Sequence, residues 1–189
     1  MTIHFFDEFN FHAEITGFKN ISPEQAINYL KNNRKNEPQK IWLQFFDSNL
    51  IATNKHLYFA ILNALYAFKH HINLSKSIAM ETLLYASTQH QIQKAIQTIG
   101  LKPDMSQMAV TIISENTQQI KTALNDLSAN LQTEPCDTVL KLTKKKTYQI
   151  KQTFNINPLM IESVTKNGEN DSALVNLIIE KMALLSTKF

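Results

Sequence analysis

The chain has 189 residues, 43% of them hydrophobic, with 19 Lys and Arg against 16 Asp and Glu and a net charge of +3. That length and apolar content suit one domain with a sizeable core. Three glycines leave little room for a glycine-rich phosphate loop, the lone Cys136 excludes an intrachain disulfide framework, and no apolar run reaches the ~20 residues of a membrane span. Cys136 follows Pro135 in an expected loop and reads as inert. The opening MTIHFFDEFN carries acids where a secretory leader carries bases, so the expected location is the cytoplasm, with no membrane.

Residues 10–17 (NFHAEITG) alternate in polarity and predict a strand. Ser22-Pro23-Glu24-Gln25 starts a helix, with Ser22 as cap, Pro23 in the first turn and Gln25 reaching back. It should run to about Asn33, with Ala26, Ile27 and Leu30 inward. Lys40 to Asp47 (KIWLQFFD), which holds the only Trp, predicts a strand. Asn54 caps a helix from Lys55 to Lys69. Its two stripes, Leu57, Ile61, Ala64, Leu65 and Phe68 and then Tyr58, Leu62 and Tyr66, predict burial on more than one side.

After a turn at 70–74, Ser75 caps a second helix to about Ala86. A third runs from Thr88 to Ile99, with Ile92, Ala95, Ile96 and Ile99 inward and Gly100 as its stop. Met108 to Ser114 (MAVTIIS) is apolar on both faces, as in a central strand. Asn116 starts a helix to about Leu131. Residues 132–146 are polar and include the run Lys144-Lys145-Lys146; they predict a surface connection with a short edge strand at Thr138 to Leu142. Two short helices follow, at Thr147 to Phe154 and Pro158 to Thr165. Gly168, with Asn167 and Asn170, marks a loop. Asp171 or Ser172 then starts a last helix that runs into Met182 to Leu185, where the chain turns extended. The fold class is α/β (α+β): a small mixed β-sheet packed against a layer of helices, in a single domain over 1–189.

Catalytic signatures are lacking: no GxSxG, no HExxH and no paired CxxC. An enzyme is not expected, nor a cofactor. The acids at Asp7-Glu8 and at Glu169 and Asp171 read as solvated surface. His70 and His71 diverge on any regular backbone and lack a neighbouring carboxylate or thiol, so no metal is expected. Glu81 reads as half of a pair that orients a basic side chain.

Charge is unevenly distributed. Residues 47–102 hold five lysines and two acids, whereas the remainder has fourteen bases and fourteen acids, so the whole excess lies in this block. Four of the six histidines (His56, His70, His71 and His90) lie there too. A neutral scaffold with one basic helical block points to an acidic partner, nucleic acid first. The candidate RNA surface is Lys69, His70, His71, Asn73, Ser75 and Lys76. Backbone N–H groups at the start of the second helix favour an anion, with Lys76 adding charge. Asn73 and Ser75 offer hydrogen bonds, though both are also good turn and cap residues. Tyr66 or Tyr85 would stack a base if exposed. Lys144-Lys145-Lys146 would extend a basic groove, or face solvent. The last helix has more apolar residues than one stripe needs; Leu174, Leu177, Ile178 and Met182 form a candidate partner-binding face, with burial under the sheet as the alternative.

The same block carries a family resemblance. Its order is Asp47, Asn49-Leu50, His56-Leu57, Ala60 and ALYAFK (64–69), then NLSKS (73–77), METLLYAS (80–87), Gln91-Ile92, Ala95-Ile96 and Gly100. This resembles the kinase-associated accessory subunit of the KEOPS (EKC) complex, the family of the p53-related-kinase-binding protein. The strong part covers about 47–113, with a weaker echo at 177–184. Two departures stand out: Ser87-Thr88-Gln89-His90 lacks the family's glycine, and His70-His71-Ile72 replaces a more arginine-rich turn. The resemblance implies a non-catalytic subunit that docks on the complex's small atypical kinase/ATPase. It implies indirect association with the threonylcarbamoyl transferase and the remaining subunits. It also implies capture of the 3′ CCA end of tRNA for threonylcarbamoyladenosine modification. The alternative is a kinase-binding regulatory module without RNA binding. A composition rich in Lys, Asn and Ile suits an AT-rich microbial genome, so an archaeal member is expected.

Overall fold

The computed structural model describes residues 2–35, 40–165 and 169–187. In chain order these form β1 (Ile3–Phe6), β2 (Phe11–Lys19), α1 (Pro23–Lys35), β3 (Ile41–Asp47), α2 (Asn54–Lys69), α3 (Ile78–Ser87), α4 (Ile92–Ile99), β4 (Gln107–Ser114), α5 (Thr117–Leu131), α6 (Lys144–Thr153), α7 (Pro158–Val164) and α8 (Asn170–Ala183). The expected loop around Asn167 and Gly168 lies outside the described residues.

Every residue of β4 from Met108 onward is buried, so the strand must lie inside a sheet covered on both faces. It pairs with β2, Gly17 opposite Ala109, and with β3, Phe45 opposite Val110. Adding β1 beside β2 gives the order β1-β2-β4-β3. The α/β (α+β) class stands, but all three ladders are antiparallel where a mixed sheet was expected. Helices also cover both faces instead of one. Met108, Val110, Ile112, Phe18 and Phe45 join Ala26 of α1 and Ile120, Leu124 and Leu127 of α5 in one core. Ala109, Ile113, Ala13, Ile15 and Phe46 join α2, α3 and α8 in the other.

Several boundaries move for local reasons. Strand β1 was not expected, because its four residues are too few to show a period and Phe5 is exposed. Thr53, not Asn54, stands at the N-cap position of α2, and its side chain makes no bond to the helix. The expected edge strand at 138–142 is a 3-10 turn, Asp137–Leu140. The chain does reach the sheet edge there, where the Cys136 N–H donates to the Gly17 carbonyl at 2.6 Å. That approach requires glycine, since a Cβ at Gly17 would run into the Val139 side chain. After α8 the chain enters a 3-10 turn, Leu184–Thr187, and does not extend. The lysine run opens α6, with Lys144 and Lys145 exposed, while Lys146 is buried and donates to the Val139 carbonyl at 2.8 Å.

With so few glycines, helices end on other residues. His71, Thr88, Gln132 and Asn155 all adopt left-handed φ after α2, α3, α5 and α6. Each is followed by an N–H that returns to a carbonyl five residues back. Gly100 follows α4 with φ −72, so it is not a left-handed stop. A Cβ there would lie 2.5 Å from the Ile96 carbonyl oxygen.

His56 ties α2 to its surroundings. The fully buried ring accepts the Ala52 N–H at Nδ1 (3.2 Å), which leaves Nε2–H to donate to the Ala86 carbonyl at the end of α3 (2.8 Å). Burial, with Lys146 nearby, holds its pKa at about 4, against an opposing contribution from the Ala86 bond. Between about pH 6.5 and 4 the unfolded chain therefore binds a proton that the folded chain refuses, and stability falls as pH falls. From pH 7 to pH 5 the loss from this ring is about 2 kcal/mol. His56→Ala should be less stable at pH 7, and its deficit in urea unfolding should shrink by about that amount at pH 5. A deficit constant over this range would mean that the ring is not held neutral.

Candidate nucleic-acid interface

The loop from the end of α2 to the start of α3 carries His70, His71, Asn73, Ser75 and Lys76, while Lys69 is the last residue of α2. α2 stops where His70 N–H returns to Tyr66 and Ile72 N–H to the Ala67 carbonyl, with His71 left-handed between them. His70 and His71 are consequently exposed at the helix end. The His70 ring packs at 4.2 Å on Tyr66, itself 47% exposed. Ile72 and Leu74 add exposed apolar surface beside them.

Beyond His71 the loop folds around one carboxylate. Glu81, in the first turn of α3 and 1% exposed, accepts the Leu74 N–H at 3.1 Å on each oxygen and the Ser75 N–H at 2.8 Å. The Asn73 amide donates to the Ser75 carbonyl at 2.8 Å, and the Ser75 hydroxyl to the Ser77 carbonyl at 2.9 Å. These bonds clamp the backbone from three sides. They also leave Lys76 on the outside, exposed and without an acid within ion-pair distance among the described residues.

Five expectations change here. Ser75 does not cap α3; Ser77 holds that position, and Ser75 is turned inward. The helix start expected to favour an anion at Ser75 lies instead at Ile78, and the Ser75 N–H, with that of Leu74 before it, already donates to Glu81. Glu81 does not orient a basic side chain. Tyr85 is buried, its hydroxyl pushed up to about 12 by burial and by Glu81, so it offers no stacking face. Lys69 points the other way along α2 and pairs with Glu8 at 2.8 Å, lying over the Phe9 ring. The signal that could have found the role of Glu81 is a lone acid in the first turn of a helix that follows a turn, where a carboxylate can accept from N–H groups ahead of the helix.

The candidate partner face on α8 is corrected. Leu174, Leu177, Ile178 and Met182 lie in the chain's own core under α2 and α3, each no more than 5% exposed. What α8 shows outside is Ile179, in a groove of about 590 Å³ shared with Lys55, Tyr58, Phe59, Asn176 and Glu180. α4 is shorter than expected and begins at Ile92, because Thr88 is the left-handed end of α3. Its Ile92 and Ile96 face outward, while Ala95 and Ile99 are buried. Among the described residues no three His, Cys, Asp or Glu side chains stand close enough to hold a metal ion, and no helix is long and apolar enough to cross a membrane.

A family model described as kinase binding protein CGI-121 matches residues 18–186. A curated protein, the regulatory protein Cgi121 of Methanocaldococcus jannaschii, is 27% identical over 145 residues, covering 77% of this chain and 83% of that one.

The Lys69–Glu8 pair is solvent-exposed, and exposed pairs contribute little. Glu8→Gln should therefore change the urea-unfolding free energy by less than about 0.5 kcal/mol while releasing the Lys69 ammonium. A loss well above that value would make the pair a structural tie and not a surface contact.

Proposed function

This chain belongs to the kinase-binding CGI-121 family, and we propose that it is the non-catalytic accessory subunit of a KEOPS (EKC) complex. It docks on the small atypical kinase/ATPase of that complex in the cytoplasm. It also recruits tRNA through the 3′ CCA end for threonylcarbamoyladenosine modification by the associated transferase.

The observation that carries the RNA half is the loop at 70–76. A single-stranded end is gripped by a charged contact to its backbone and by ring faces on which bases stack. Lys76 supplies an unpaired cation, Tyr66 and His70 a paired ring surface, and Ile72 and Leu74 apolar contact beside it. Behind this surface the Leu74 and Ser75 N–H groups donate to the buried Glu81 carboxylate. For Asn73 the support is weaker: its amide is spent on Ser75, leaving only its carbonyl oxygen to accept. Lys69 joins the surface only when it leaves Glu8.

One observation favours the second reading, a kinase-binding module without RNA binding. Of the two lysines flanking the loop, one is already paired.

Binding of the purified chain to intact tRNA and to the same tRNA lacking its 3′ CCA, at two salt concentrations, separates the readings. The expected result is tighter binding to the intact molecule, weakening as salt rises. Lys76→Glu and Lys69→Glu should both weaken it with the fold retained by circular dichroism, and the first should flatten the salt slope by about one phosphate contact. Equal and negligible binding to both RNAs, with capture of the kinase intact, would leave the kinase-docking module.

A further inference from the structure

We infer that Glu81 is the positioning residue of the RNA-facing loop, its buried carboxylate fixing residues 74–75 so that His71, Ile72, Leu74 and Lys76 meet a single-stranded RNA end as one preset surface. The inference rests on the reading of this loop as an RNA surface.

The electrostatics of the loop are unusual for a simple connection. Burying an anion without a cation is costly, and Glu81 has no Lys, Arg or His partner among the described residues. Its compensation is three N–H···O contacts from two backbone groups, plus the favourable end of the α3 dipole. A turn that had only to join α2 to α3 would close with neutral residues, and Asn73 and Ser75 are already present for that. What the carboxylate adds is a fixed path for the backbone between the exposed side chains. It also occupies the N–H groups to which a phosphate would otherwise be drawn. Phosphate is thereby steered outward to Lys76, and the bases towards the Tyr66–His70 rings.

Glu81→Gln keeps the size of the side chain but sets an amide N–H against one of the two backbone donors. Its affinity for intact tRNA should fall about tenfold or more, the equivalent of losing one charge-assisted bond. The slope of affinity against salt should not change, because no phosphate contact is removed. The Leu74 and Ser75 amides should exchange faster with deuterium. Lys76→Glu, run alongside, should show the opposite pattern, with a flatter slope and protected amides. Affinity is measured per folded molecule, well below the unfolding transition, so a general loss of stability does not move it. Fast-exchanging amides with wild-type affinity would overturn the inference and leave the RNA reading standing. A wild-type chain that binds neither tRNA would overturn both. If Glu81→Gln does not fold, Glu81→Asp, one methylene shorter at the same charge, replaces it with the same expected outcomes.

Discussion

The antiparallel pairing of β2 with β4 is the constraint from which the rest of the molecule follows. Both strands are buried along nearly their whole length, so neither face of the sheet can be left to water. One core, with α1 and α5, closes one face; the larger core, with α2, α3 and α8, closes the other. The α2–α3 pair cannot shift in its layer, because His56 bonds to the loop before α2 on one side and to the last turn of α3 on the other. With both helices fixed, the turn between them is held at the rim of the molecule, and its residues are either clamped inward or presented outward. The functional reading of the loop is thus a consequence of burial elsewhere.

The division of labour inside that turn is a matter of hydrogen-bond accounting. Each N–H taken out of water must find an acceptor, and those of Leu74 and Ser75 find theirs outside the backbone. Glu81 supplies them from the next helix. Asn73 and Ser75, the residues whose chemistry would suit a ligand, are largely consumed in the same way. The side chains that remain outside are those with no local partner to satisfy: His71, Ile72, Leu74 and Lys76.

Much of this was legible in the sequence where a segment's pattern had a single solution. The run MAVTIIS admits only a strand buried on both faces, KIWLQFFD an extended segment, and Asn116 to Leu131 a capped helix, and each is found close to its expected bounds. Patterns with two solutions failed. Ala95 and Ile99 of α4 are buried as expected, but Ile92 and Ile96 share their apolar face and are exposed, and a sequence cannot say which part of that face a short helix buries. The apolar surplus of α8 looked too large for one core because the cover on its second side, the α2–α3 pair, comes from residues about a hundred positions earlier. The loop residues were singled out by charge and resemblance, whereas the part of Glu81 was misread: its carboxylate suggested a basic side-chain partner, and the fold gives it two backbone N–H groups instead.

Charge in the basic block is less available than its composition implies. Lys102 lies 3.8 Å from the Asp47 carboxylate and Lys69 is paired with Glu8, which leaves Lys55, Lys76 and Lys94 exposed on different elements. A protein that holds a duplex by its phosphates makes roughly 6–10 such contacts, and its affinity collapses with modest salt. Three dispersed lysines cannot do that. Paired rings, apolar contact and one unpaired cation on a rigid turn can instead hold a short unpaired strand, where stacking contributes about 1–3 kcal/mol per base and each base presents a face. On the RNA reading proposed above, the distribution of charge in this block therefore favours an RNA end over a helix.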